Sequence, residues 1–137
     1  MAYWLMKSEP GAWSWDDQVG KGVEHWDGVR NHQANNNMKA MKIGDRGFFY
    51  HSVNEKRIVG IVEVVREYYP DHTDDSGRFG MVDFKAVKPL PRPVTLAEVK
   101  TDPRLSDMAL IRQSRLSVMP VTDAQWRVIT ELGGVEA

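Results

Sequence analysis

The sequence predicts one α+β domain of 137 residues, a curved sheet or small barrel flanked by short helices. Three observations predict it. Strand-like segments rich in aromatic, Val and Ile residues crowd the centre of the chain. Helix-like segments with recognisable start signals sit near its two ends. No Gly/Ser-rich linker, repeat or low-complexity run divides the chain, and 42% hydrophobic residues suffice for a single packed core.

Tyr3 to Lys7 is short, aromatic and apolar, a strand ended by Ser8-Glu9-Pro10-Gly11. Trp13 to Val19 is expected to form a short helix. His32 to Met41 places Ala34, Met38 and Met41 at helical intervals on one stripe, although Asn35, Asn36 and Asn37 are poor helix formers. After the Ile43-Gly44-Asp45 turn come three strands. Arg46 to His51 carries Phe48, Phe49 and Tyr50. Ile58 to Tyr69 is rich in Val and Ile, with Gly60 as its bulge site. Met81 to Val87 alternates Val82, Phe84 and Ala86 with Asp83 and Lys85, the period of a half-buried strand. Pro89-Leu90-Pro91-Arg92-Pro93 is expected to break the sheet. Thr95 with Glu98, and Thr122 with Gln125, have the spacing of capping boxes that open helices. The second of these helices carries Trp126, Ile129 and Leu132 on one face and stops at Gly133-Gly134. Between the two helices, Leu116 to Pro120 supplies another short strand.

Composition excludes some chemistry. No cysteine occurs, so disulfides and thiolate catalysis are absent. The start of the chain lacks the pattern of a secretory leader and no apolar run approaches a membrane span, so a soluble, cytoplasmic protein is expected. His25, His32, His51 and His72 are widely separated, without the paired spacing of zinc sites, and no metal is expected. There is no P-loop and no Gly-x-Ser-x-Gly elbow. His51 beside Ser52 is a poor nucleophile–base pair, because neighbours on a strand point to opposite faces. Net charge is formally −1, which does not favour nucleic acid, yet Arg30, Lys39 and Lys42 fall in a stretch without acids. Seven Lys or Arg between Lys85 and Arg115 meet only three acids. One mildly basic face and ordinary solvated surface both fit that pattern.

What remains is a set of polar and aromatic residues near strand ends. Trp26 lies in a loop-like segment beside Asp27, Gly28, Arg30, Asn31 and His32. A tryptophan there can plug the core, the commoner role. It can also stack on a splayed-out base while an Asn amide, the Ser8 hydroxyl or backbone groups read the base edge. Asn31 equally fits the N-cap of the following helix, and Arg115 a structural ion pair. Trp13 and Trp15 point to different faces, which leaves one of them for the neighbourhood of such a pocket.

Trp4-Leu5-Met6-Lys7-Ser8-Glu9-Pro10 resembles the opening signature of the EVE domain family. Trp26-Asp27-Gly28-Val29-Arg30-Asn31 resembles its second block, continued by His32-Gln33-Ala34 and Asn36-Asn37-Met38. Gly44-Asp45 with Phe49-Tyr50-His51-Ser52 is similar to the third, and Val59-Gly60-Ile61, Glu63-Val64 and Tyr69-Pro70-Asp71 to the fourth. Arg115-Leu116-Ser117-Val118 resembles the last. The blocks occur in the expected order from residue 4 to residue 118.

The resemblance implies a PUA-like, strongly bent β-barrel with flanking short helices, related to YTH and ASCH domains, filling residues 1–137 as one domain. It implies a non-catalytic module that holds a modified base of DNA or RNA in an aromatic pocket. Trp26 would be a cage wall, Ser8 and Asn31 would read the base edge, and Tyr50, His51 and Ser52 would line the pocket. Phe79 would supply a further wall where the family tends to carry Trp. Arg30 and Arg115 would meet phosphate or sugar. The family usually has Arg at the position of Asn35, so a phosphate contact is expected to be lost here. The implied partner is a nucleic acid with a modified base, a partner nuclease being unidentified; no cofactor, metal or membrane is implied. The alternative is an enzyme acting on a modified nucleotide or base, with His51 moving a proton.

Overall fold

Strand β3 (Arg46–His51) forms where the sequence places it, and its alternating side chains serve both faces of the sheet. In the computed structural model, which describes residues 1–135, Phe48 stacks on Trp126 with ring centroids 4.0 Å apart. Trp126 stacks in turn on Tyr3 at 4.2 Å. Phe49 meets Trp15 and Trp26 edge-on at 5.5 and 5.6 Å. A strand covered on both faces reads as an unbroken apolar run, which is why Phe48, Phe49 and Tyr50 are all buried.

Among the described residues six strands lie in the order β2 (Val23–His25), β5 (Gly80–Thr95), β4 (Arg57–Pro70), β3, β1 (Tyr3–Ser8) and β6 (Val118–Val121). β1 is parallel to β3, and the other neighbours are antiparallel. Parallel neighbours need a long crossover. Residues 9–45 supply it, carrying α1 (Trp15–Lys21), β2 and α2 (His32–Ala40). The class is α+β as expected; the sheet is mixed, with β2 and β6 at its two ends. Its curvature goes with bulges. The β4–β5 ladder changes register at four places, one of them between Ile58 and Gly60, so the expected bulge at Gly60 is present. Gly60 also makes room for a neighbour, since a Cβ there would stand 2.5 Å from the Trp15 ring.

Pro89 to Pro93 do not break the sheet. β5 continues through them to Thr95, pairing Pro89 with Gly60 and Val94 with Ile58. Two features permit it. β2 pairs only with Asp83 to Lys85, so this half of β5 is an edge that needs no amides on its free side. The register jump between Ile58 and Gly60 also leaves Leu90 to Pro93 outside the paired positions.

The helices follow their caps. Thr95 opens α3 (Leu96–Thr101) and Thr122 opens α5 (Asp123–Gly133), each with both capping-box bonds made. Gly134 ends α5 at φ 77°, as a left-handed cap requires. Helix α1 starts two residues later than expected because Ser14 and Asp17 form a further capping box. A 3-10 turn (Pro103–Leu105) and α4 (Ala109–Arg112) complete the chain. Buried Asp45 accepts from Trp4 Nε1 at 3.1 Å, from the Ala2 amide at 3.1 Å and from the Lys42 amide at 3.0 Å, fastening the start of β1 to the turn before β3. No helix among the described residues is long and apolar enough to cross a membrane.

Candidate nucleic-acid interface

A hollow of about 560 Å³ opens between the end of β1, the turn after it and the segment around β2. Lys7, Ser8, Glu9, Ala12, Trp13, Glu24, His25, Trp26, Asp27 and Gly28 line it. Two of these, Ser8 and Trp26, are residues the sequence singled out. Trp26 is only 9% exposed and packs edge-on against Phe49 and Phe84, so it is at once a wall of the hollow and a plug of the core. The pair Trp13 and Trp15 divides as expected: Trp15 is buried and Trp13 faces the hollow half-buried.

Trp13 is held from behind. Its Nε1 donates to Gln18 Oε1 at 2.9 Å, and Gln18, fully buried, donates through Nε2 to the Gly22 and Phe84 carbonyls at 3.2 Å each. The Ser8 hydroxyl donates to the Trp13 carbonyl, and the Ser8 carbonyl accepts from the Ser52 amide at 2.9 Å. The Trp26 amide donates to the Val82 carbonyl at 2.8 Å. Gly28 turns the chain at φ 77° and donates its amide to Asp71 Oδ2 at 2.8 Å. Asp71 is 3% exposed, and burial pushes its pKa up. Bonds from the Thr73 hydroxyl and amide, the Gly28 amide and the Arg30 guanidinium outweigh that and hold it at about 2.

The remaining expected site residues lie elsewhere. Tyr50, His51 and Ser52 do not line the hollow. Tyr50 is buried below Lys7, whose Nζ lies 6.0 Å from its ring centroid. His51 is buried with both ring nitrogens engaged: Nε2 accepts from the Trp15 amide at 2.9 Å, and Nδ1 faces Glu55 Oε1 at 2.9 Å. Phe79 packs against His32 at 5.0 Å and under Arg30 at 5.6 Å, apart from the hollow. Arg30 bonds Asp71 at 3.1 Å and Thr73 at 2.9 Å, with 41% of its side chain exposed. Asn31 caps α2, its Oδ1 accepting from the Ala34 amide at 2.9 Å.

Asn31 and Arg115 meet in a second hollow of about 350 Å³ with Gln33, Arg112, Gln113, Ser114 and Leu116. The two hollows are neighbours. Lys7 lines the first, and its Nζ donates to the Ser114 carbonyl of the second at 2.8 Å; burial lowers the Lys7 pKa. Arg115 makes no ion pair among the described residues, whereas Arg112 pairs with Asp107 at 2.9 Å. Asn35 is buried, accepting from the Gly80 amide at 3.0 Å and the Tyr68 hydroxyl at 3.1 Å. Its side-chain oxygen thereby ties α2 to β4 and β5.

Asp27 and Gly28, which the sequence places beside Trp26, line the hollow as well, while sequence reading missed Lys7, Glu9, Glu24 and His25. The signal was their adjacency to Ser8 and Trp26. The histidines are widely separated along the sequence, yet the rings of His25 and His72 lie 5.1 Å from one another.

The model of the EVE domain matches residues 2–132. A Rhodopseudomonas palustris protein solved by NMR is 60% identical and has a TM-score of 0.93, covering 98% of this chain and 94% of its own. Human thymocyte nuclear protein 1 is 34% identical over 96% of this chain and 73% of its own length. The crystal structure of human THYN1 protein in complex with 5-methylcytosine containing DNA has a TM-score of 0.91 at 34% identity and covers both chains completely, 100% of each. The chain belongs to the EVE domain family.

Proposed function

We propose that this protein is a non-catalytic reader that takes a modified base of a nucleic-acid strand into the hollow between Trp13 and Trp26. One observation carries the reading: two indoles and a ring of hydrogen-bonding groups share one open cavity of about 560 Å³. Indole faces stack on any base, and polar groups beside them choose among bases. Glu9, Glu24 and Asp27 supply acceptors suited to an exocyclic amino group, such as that of a cytosine. The human relative's complex with 5-methylcytosine containing DNA supports the same class of ligand.

The strand's backbone follows the second hollow, where Arg115 offers a guanidinium that no acid neutralises among the described residues. Arg30, partly exposed on the Gly28 side, is the other phosphate contact. Ser8 and Asn31 act through geometry as much as through contact, one bracing the Trp13 turn and the other capping α2. Tyr50, His51 and Ser52 support the walls rather than touch the base, and Phe79 lies under Arg30 away from the hollow. The engagement of both His51 nitrogens weighs against the enzyme reading, because a proton carrier needs one of them.

The experiment is binding of matched oligonucleotides with cytosine or 5-methylcytosine at one stated salt concentration, with wild type and Trp13→Ala. Trp13 is half-buried and precedes α1, so its removal reads binding more cleanly than that of Trp26. Trp13→Ala is expected to weaken binding by about 1–3 kcal/mol, the value of a lost stacking surface. Unchanged binding by a folded Trp13→Ala protein excludes the two-indole pocket.

A further inference from the structure

We propose that His25, Asp27 and His72 form a binding site for one divalent transition-metal ion of the zinc class, on the rim of the hollow. One donor atom from each of the three lies within 4.8 Å of the others. His25 Nε2 and Asp27 Oδ2 are 3.5 Å apart. Two ligands of a tetrahedral ion with bonds near 2.1 Å stand about 3.4 Å apart, so this pair already has the required spacing. His72 is exposed on a loop, with its ring 5.1 Å from that of His25.

The surroundings are those of a metal-binding histidine. Glu24 Oε1 lies 2.8 Å from His25 Nδ1, an outer carboxylate placed to accept a hydrogen bond from Nδ1–H and so leave the Nε2 lone pair for a metal ion beside Asp27. His25 is fixed in β2 by its pairing with Asp83 of β5. The loop carrying His72 is tied to the turn carrying Asp27 by the bond from the Gly28 amide to Asp71, 2.8 Å long. Thus two segments far apart in sequence are locked together just where they present two imidazoles and a carboxylate.

Ligand type selects the metal. Two neutral imidazoles and one carboxylate suit Zn²⁺, Co²⁺ or Ni²⁺, while Mg²⁺ and Ca²⁺ prefer all-oxygen shells. Three protein ligands leave a coordination position open. Because Glu24, His25 and Asp27 all line the hollow, that position adjoins the space assigned to the base. The site itself does not depend on that assignment.

The test is calorimetric titration of Zn²⁺ into untagged, chelator-treated protein without nucleic acid, with Co²⁺ absorption as a report of coordination. One equivalent is expected to bind, with tetrahedral-type Co²⁺ bands that Zn²⁺ displaces. His72→Ala, an exposed substitution, is expected to weaken uptake by at least about a hundredfold, and Glu24→Gln by about ten- to a hundredfold. His32→Ala, outside the cluster, is expected to change nothing. Absence of saturable Zn²⁺ uptake overturns the proposal, as does equal uptake by folded His72→Ala protein. Tighter binding of Mg²⁺ than of Zn²⁺ overturns the metal class. Loss of base binding by Trp13→Ala would leave all of these outcomes untouched.

Discussion

Trp13 is positioned by Gln18, whose side-chain oxygen accepts the indole proton at 2.9 Å while its amide group spans to the carbonyls of Gly22 and Phe84. One buried amide therefore connects a wall of the hollow to α1 and to β5. Gln18→Leu is expected to destabilise the fold by about 1–3 kcal/mol, because a half-buried indole N–H loses its acceptor and two carbonyls lose a donor. It is also expected to weaken oligonucleotide binding by less than Trp13→Ala does, since the ring remains but is less well held. Denaturant unfolding and binding of the same preparation separate the two effects.

Trp26 divides its ring between core and hollow, with only 9% exposure and edge contacts to Phe49 and Phe84 at 5.6 and 5.7 Å. Trp26→Ala is expected to cost about 3–5 kcal/mol of stability, as large aromatic truncations in cores do. Trp26→Phe should recover most of that loss. If Trp26→Ala unfolds at the wild-type denaturant midpoint while binding is abolished, the residue acts on ligand alone and its core role is wrong.

Asp71 makes the stability of the site depend on acid. Its folded pKa is about 2 against an ordinary 3.8, so its contribution is complete above about pH 4 and is lost as pH falls toward 2. For a buried carboxylate that depression corresponds to about 2 kcal/mol. The stability difference between wild type and Asp71→Asn should therefore be greatest near neutrality and shrink by about that amount between pH 4 and pH 2. Urea unfolding at stepped pH measures it. Exchange of the Gly28 amide, which donates to Asp71, should quicken over the same window.

How much of this is legible in the sequence depends on distance along the chain. The capping boxes of Thr95 and Thr122 are local and readable, and so are the Val- and Ile-rich strands. The box of Ser14 and Asp17 is equally local, but it uses Asp where Glu or Gln marks the motif, so the sequence pattern starts α1 too early. β2 is three residues long, with Val23 exposed, and leaves no periodic signal. The proline run misleads because an edge strand tolerates what a central strand does not. The sequence marks Asn35 only as a poor helix former and a departure from the family's Arg, because its partners, Tyr68 and Gly80, arrive from β4 and β5. Trp26 and Ser8 stand out because the family signature marks them, whereas the approach of His72 to His25 joins segments far apart in sequence, which the Gly28 amide bond to Asp71 also links.

Arg30 and Arg115 allow the backbone part of the proposed interface to be measured apart from the base. Each phosphate neutralised on duplex DNA adds about 0.9 to the slope of log affinity against log salt. Arg115→Ala is expected to lower that slope by about one and to weaken cytosine and 5-methylcytosine oligonucleotides equally, since a phosphate contact carries no base information. Arg30→Ala should do the same and also cost some stability, because it strips Asp71 and Thr73 of a donor. A change in the preference between the two oligonucleotides on Arg115→Ala, with the salt slope intact, would move Arg115 from the backbone to the base.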